Sequence, residues 1–362
     1  MRIRIYLVSG TKLTSKVAII KFDGDPAEQL KQVLNMIGGI DDINTAERSV
    51  VVKVGVFSHK AGNHTSVSLV KAISNCFDRA PKIFLAESDN YRGTGTERLQ
   101  IWKELFTERI VPFNLSGDSS TRRVKLAGEE MNLSHILFKP NVLVDTHILR
   151  VFERGSILKN LFGCIPTPKK AKHHKVLPKL LADVYEAIDG VDLSVMDGTY
   201  LWHGASDVKV PMNMLLVSRD AVAVETVGAI LAGLKPEKNP VIQEFLKRDL
   251  GVGDIEDIEI IGTSLESLRE ESKSANVKLR KKWKEHGGAP SIWAPTIDRL
   301  IKNGFFQLPN KRTRDDVVKA FEARGISTKG YTGVIGTTLT RRVRKGKLKA
   351  VKELNGWVYW TE

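Results

Sequence analysis

Between residues 17 and 234, short apolar runs alternate with segments that are amphipathic at helical period, and few folds accommodate that order. Residues 50–56 read as a buried strand, 17–22 are a similar apolar run, and 2–8 alternate polar with apolar. Residues 27–36 and 65–77 read as helices, and 82–86 as a further strand. Residues 183–188 and 215–217 continue the pattern, and 221–234 form a long apolar helix. Strands alternating with helices build a mostly parallel sheet flanked by helices, whose ligands usually sit at the carboxyl ends of strands. An α/β core over residues 1–262 is therefore expected. With 362 residues, 42% of them hydrophobic, the chain is long enough for two or three domains.

Charge divides the chain unevenly. Of 56 Lys+Arg and 42 Asp+Glu, residues 280–362 hold 19 and 7, leaving 37 and 35 for the rest. So lopsided a distribution is a footprint for a polyanion, confined to one module. In that module three short helices are predicted, over 296–303, from an N-cap at Thr313 to Gly325, and over 333–345. Asp315 and Asp316 occupy the first turn of the second, where carboxylates favour the helix dipole. Strands at 348–354 and 357–360 follow, joined by Asn355-Gly356, a strong hairpin signal. Residues 263–294 read as a polar, solvent-exposed connecting helix with acids first and bases last, hinged at 287–290.

That order, with the stretch Leu339-Thr-Arg-Arg-Val-Arg-Lys-Gly-Lys-Leu348, resembles a winged helix-turn-helix of the kind found in archaeal proteins. The resemblance implies a small α+β domain over 295–362, its third helix in a major groove and its wing on phosphates. Arg341, Arg342, Arg344 and Lys345 on that helix, with Lys347, Lys349 and Lys352 on the hairpin, are the nucleic-acid-binding candidates for DNA or RNA. A solvated basic face used for protein contacts is the alternative.

In the larger part, polar residues cluster where strands should end. Lys53 sits in an apolar strand, where a bare ammonium is costly without a phosphate or a carboxylate beside it. Gly62-Asn63-His64-Thr65 precedes a helix, so His64 could face an anion there, or Thr65 could simply cap the helix. Glu87 and Asp89 adjoin Gly93-Thr-Gly-Thr-Glu-Arg, which could hold an ion or a ribose hydroxyl, or be a loop with capping residues. Asp145 and His147 share one face of a strand, and with Asp197 and His203 could ligate a metal, although no tight ligand motif is present. Lys159-Asn160 is the most distinctive pair: lysine can bind phosphate or, desolvated, act as a base, and asparagine can orient a carbonyl. Residues 169–174 read as an exposed basic loop, with the alternative that it clamps an anionic ligand, and Cys164 reads as packed.

Val51-Val-Lys-Val-Gly55, Asp145-Thr-His147, Leu158-Lys-Asn-Leu-Phe-Gly-Cys-Ile165, Met196-Asp-Gly198 and Ser218-Arg-Asp-Ala-Val-Ala-Val-Glu225, with Gly228, stand in this order. Together they resemble domain-of-unknown-function family 362 over about residues 15–262. The resemblance implies an α/β fold and no established activity. Many members carry a cysteine-rich ferredoxin-like segment; with Cys76 and Cys164 alone, no iron–sulfur cluster is expected here. Glu225 stands where the pattern usually has aspartate, and is a ligand-binding candidate with a longer reach.

Three functions follow. In the first, the protein binds nucleic acid and its core senses a ligand or serves as a scaffold. In the second, it is an enzyme acting on an anionic small molecule or a nucleic-acid-linked group, with Lys159, Asn160, His147 and Asp197 as catalytic candidates. In the third, it is a protein-interaction module. Two cysteines, no apolar run of membrane-spanning length and no charged-then-apolar leader read as a cytoplasmic protein without a membrane partner.

Overall fold

The computed structural model describes residues 14–58, 62–204, 206–285, 293–326, 328, 332–354 and 356–362. The strand expected at 2–8 and the hinge expected at 287–290 lie outside them. The chain divides into two compact units, Met1–Arg280 and Lys281–Glu362.

The first unit begins β1 (Ser15–Lys21), α1 (Pro26–Met36), β2 (Val50–Lys53), α2 (Val67–Cys76), β3 (Ile83–Glu87), α3 (Gly95–Leu99) and β4 (Ile110–Asn114). A separate hairpin, β5 (Thr121–Leu126) and β6 (Glu129–Ser134), precedes β7 (Val142–Val151) and the short α4 (Ile157–Asn160). There follow α5 (Leu177–Ala187), β8 (Leu193–His203), β9 (Lys209–Ser218), α6 (Ala221–Leu231), α7 (Pro240–Leu246), β10 (Ile258–Gly262) and α8 (Leu265–Trp283), all but the last three residues of which belong to this unit. Eight strands form one sheet in the order β10-β1-β9-β8-β7-β2-β3-β4. Only β9 runs against its neighbours β1 and β8, so the sheet is mostly parallel, as anticipated.

Both faces of this sheet are covered. Val50, Val52, Leu85, Val144 and Leu215 join the core beneath α1 and α2. Val51, Ala86, Leu143 and Leu216 join the opposite core, with apolar residues of α5, α6 and α7. Double burial is why β2 is a continuous apolar run rather than an alternating one. Lys53 stands in register with Ala86 of β3 and Asp145 of β7. Because side chains alternate along a strand, this register puts Lys53 and Asp145 on the face of Val51 and Leu143.

Several expectations change. β2 stops at Lys53 rather than running on to residue 56. The polar segment after residue 262 is a helix, but not a solvated one throughout: Leu265, Leu268, Ala275 and Leu279 form a buried stripe in the first unit's core.

The second unit comprises α9 (Trp293–Lys302), β11 (Arg312–Thr313), α10 (Arg314–Glu322), α11 (Thr332–Arg344), β12 (Lys349–Glu353) and β13 (Gly356–Trp360). The Thr313 hydroxyl accepts from the Asp316 N–H and the Asp316 carboxylate accepts from the Thr313 N–H, a reciprocal cap that starts α10. Ile297, Phe306, Val317, Phe321, Ile335, Leu339 and Tyr359 meet in one small core. Strands β12 and β13 pair as the expected hairpin, Asn355 itself lying outside the described residues, and β11 adds a third strand in the order β11-β13-β12.

Candidate anion-binding site

At the carboxyl ends of β2 and β3, a buried polar network forms the floor of a cleft. Lys53, with no exposure, donates to Glu87 Oε2 at 2.8 Å, Asn160 Oδ1 at 3.1 Å and the Val54 carbonyl at 3.0 Å. Glu87 also meets Arg98 at 3.1 Å. Burial opposes the charge on Glu87, but Lys53, Arg98 and Lys170 together hold its carboxyl below the usual range. Asn160 donates to Asp145 Oδ1 at 2.6 Å and to the Lys53 and Thr146 carbonyls. Among the described residues Asp145 Oδ2 has no hydrogen-bond partner, and burial pushes that carboxyl up to about 7, against the pull of Asn160 and Lys53. The buried lysine is thus answered by a carboxylate of the protein, one of the two partners its sequence position called for.

Gly163 lets this floor close. A Cβ there would stand 2.5 Å from Lys53 Nζ and 2.6 Å from Glu87 Oε1, distances no side chain tolerates.

Above the floor is a cavity of about 260 Å³, lined by five cations, Arg98, Arg150, Arg154, Lys159 and Lys170, and one carboxylate, Glu87. Arg98 donates to the carbonyls of Val56 (2.8 Å) and Ser88, and Lys170 to Ser88 Oγ at 2.6 Å. Arg150 donates to the Gly155 carbonyl at 2.9 Å and lies over the Phe152 ring, while its buried Nε has no partner among the described residues. Burial lowers Arg150 to about 10 and Lys170 to about 8.

Lys159 is half-buried, with Nζ 4.0 Å from the centre of the Phe162 ring and no hydrogen bond or ion pair among the described residues. Burial, then Arg150, Lys170 and Arg154, holds its amine well below the ordinary lysine range. His174 stacks on Phe162 at 5.3 Å, and Phe57 and Tyr91 complete the aromatic lining. His147 also lines the cleft; its Nδ1 accepts from the Ile148 N–H at 2.7 Å, so Nε2 carries the hydrogen. Burial and the nearby Arg150, Lys53 and Lys159 keep this imidazole neutral.

Of the sequence candidates, Lys53, Glu87, Asp145, His147, Lys159 and Asn160 are therefore brought to one place. Four are not. Glu225 accepts from Ser156 N at 2.9 Å and Leu158 N at 3.0 Å, capping the turn that presents Lys159 and Asn160. Its extra methylene serves that reach, and Glu225 positions the site rather than lining it. Asp197 accepts from Ser66 N at 2.8 Å at the start of α2 and from Thr199. It does the capping expected of Thr65, whose hydroxyl instead meets the Thr146 carbonyl at 3.3 Å. Asp89 accepts from Gly95 N at 2.8 Å and from Asn114 at 3.0 Å, while Thr94 and Glu97 form a capping box. The glycine-rich run is accordingly a capped loop. His64 bonds the Thr65 carbonyl and packs edge-on against Trp102. Among the described residues no group of three or more His, Cys, Asp or Glu side chains gathers as a metal site would require, so the Asp145–His147–Asp197–His203 set does not converge.

Arg98, Arg150 and Arg154 were missed, while Lys170 and His174 come from the basic stretch whose alternative reading was an anion clamp. Arg150 carries the same signal as Lys53, a charge inside the apolar run of β7, and could have been found by it. Lys170 and His173 are buried, correcting the reading of 169–174 as an exposed loop.

In the second unit, Arg342 pairs with Asp298 at 2.7 Å, Lys347 meets the same carboxylate at 3.2 Å, and Lys349 pairs with Glu362. Arg341, Arg344, Lys345 and Lys352 are exposed and make no ion pair among the described residues. The first three, spaced by three and four, share one face of the end of α11, Lys345 lying just past its last turn.

Residues 50–230, half of the chain, match the family Domain of unknown function (DUF362), and the chain belongs to it. No curated protein and no solved structure matches the chain. No helix among the described residues is long and apolar enough to cross a membrane.

Proposed function

We propose that this member of the DUF362 family binds a small anionic molecule in the cleft of its α/β unit. The observation that carries this is the imbalance of the lining, in which Arg98, Arg150, Arg154 and Lys170, without counting Lys159, face one carboxylate, Glu87, that Lys53 and Arg98 already engage. A half-enclosed surface so lined has its own positive charges in close repulsion, which a bound carboxylate or phosphate relieves. The aromatic walls Phe57, Tyr91 and Phe162 suit a ligand with an apolar portion. Thermal unfolding in rising pyrophosphate, at constant ionic strength, tests the reading. The melting temperature should climb with the logarithm of ligand concentration, and Arg150→Met should remove most of the climb. An increase that persists undiminished in Arg150→Met places anion binding elsewhere.

A second reading concerns the other unit, and a specific observation favours it. Helix, strand, helix, helix and hairpin in this order support the resemblance to a winged helix-turn-helix, and the exposed cations Arg341, Arg344 and Lys345 stand at the end of α11. We read this unit as a nucleic-acid binder. Fluorescence anisotropy with labelled duplex DNA and structured RNA, from low to physiological salt, should give affinity that falls steeply with salt. Absence of binding at low salt overturns it.

A further inference from the structure

Two lysines line the cleft, and they are held in opposite ways. Lys170 is anchored on Ser88 and feels the field of Glu87. Lys159 makes no hydrogen bond or ion pair among the described residues; its amine rests on the face of Phe162, and the nearby Arg150, Lys170 and Arg154 outweigh the weaker pull of Glu87. A lysine meant to hold an anion is best kept charged and in water. One largely withdrawn from water and surrounded by other cations is instead disposed to the free amine, the form that attacks carbonyl carbon, even against the modest attraction of a ring face for the ammonium.

We propose that Lys159 is an amine nucleophile toward a small carbonyl compound that also carries a carboxylate or phosphate group. The inference rests on the anion-binding reading above and names the substrate class of the same cleft. Arg150 and Arg154 supply the anion's counter-charge, so Lys159 is not needed for it. His147, a neutral ring with its hydrogen fixed on Nε2, offers a donor to a carbonyl oxygen without becoming an acid at neutral pH.

The step balances without an oxidant or reductant. The Lys159 lone pair forms the C–N bond as the carbonyl π pair moves to oxygen. Nitrogen loses a proton and oxygen gains one, giving a carbinolamine. A further proton from solvent lets the hydroxyl depart as water while the nitrogen pair forms the C=N bond, leaving a protonated imine. The loss of Lys159 from the cationic form is favoured by its surroundings, as the amine sits well below the ordinary lysine range.

The test uses the full chain with pyruvate, dihydroxyacetone phosphate or acetone, each with and without sodium borohydride. Hydride from the reagent reduces an imine to a stable secondary amine, which peptide mass spectrometry locates. Lys159 should carry the reduced adduct from at least one of the two anionic carbonyl compounds, in excess over acetone by about tenfold or more, the least expected of orientation in a cleft. Whichever anionic arm reacts identifies the carboxylate or the phosphate. Lys159→Arg should lose the adduct and keep the rise in melting temperature that the anion produces without borohydride. If the anions raise the melting temperature but Lys159 stays unmodified, the nucleophile is overturned and anion binding stands. Surface lysines that react as much as Lys159 overturn the nucleophile in the same way. With no thermal rise and no adduct, both fall.

Discussion

The two units of this chain gather positive charge in contrasting ways. In the α/β unit, a nearly balanced stretch of sequence folds so that Arg98, Arg150, Lys159 and Lys170 point into one cavity, most of them fixed by a carbonyl or hydroxyl. In the C-terminal unit, 19 Lys+Arg against 7 Asp+Glu make a surplus plain from composition, counted over residues 280–362. Yet three of its seven candidate cations are engaged with Asp298 or Glu362. Net charge thus locates a surface field, whereas a site is made by where a fold turns its charges and by which of them it leaves unpaired.

The contrast is most exposed to challenge at the acids. Glu87→Gln should destabilise the α/β unit by about 3–5 kcal/mol, because it leaves buried Lys53 and Arg98 without their carboxylate. Asp298→Asn, against partners nearer water, should cost no more than about 1 kcal/mol. Urea unfolding followed separately for each unit would show this, and equal losses would erase the distinction drawn between buried and surface charge.

A pH effect comes next in size. Asp145 in the folded chain titrates near 7 rather than 3.8, so the folded state holds a proton that the unfolded chain gives up between those values. Stability contributed by that proton is present in acid and declines as pH rises through the window. Asn imitates the protonated carboxyl, so Asp145→Asn should match the parent near pH 4 and melt several degrees higher above pH 7. A variant that melts alike across the range would show that Asp145 does not titrate there.

Smaller effects belong to the C-terminal face. Arg341→Ala and Arg344→Ala should each lower the salt slope of nucleic-acid binding by about 1, and Arg342→Ala by less, since Arg342 is tied to Asp298. Conversely, Asp298→Asn should steepen the slope slightly by releasing Arg342 and Lys347. Identical slopes for all four would mean that pairing with acids has no bearing on this surface.

The fold was legible wherever a segment was short, apolar and framed by turn residues, as at β1, β2, β3 and α6. It was less so at β8, whose Asp197, Thr199 and Tyr200 interrupt the apolar pattern, at the edge strand β4, which Pro112 interrupts, and at β5 and β6, whose polar residues belong to a separate hairpin. Thr313 could be read because a cap is local, settled within four residues. The site could be read only in part. Lys53 betrayed itself by its apolar neighbours, whereas Arg98 sits in a five-residue helix, Gly95–Leu99, that looks solvated until its neighbours in space are known. Asp197 and Glu225 were misjudged for one reason: a carboxylate that caps a turn over a hundred or sixty-nine residues away has, in sequence, the same appearance as one that waits for a ligand.

The missing side chain at residue 163 joins two things that a designer would prefer to adjust separately. The same hydrogen at Cα that borders the cavity also touches the space of the Lys53–Glu87 pair. Any attempt to narrow the cleft from this side, even by one methyl group, would push the ammonium out of register with its acid before it reached a ligand. Reshaping this cleft is therefore a matter for other lining residues, such as Phe57 or Tyr91, whose side chains are not pressed against the buried pair.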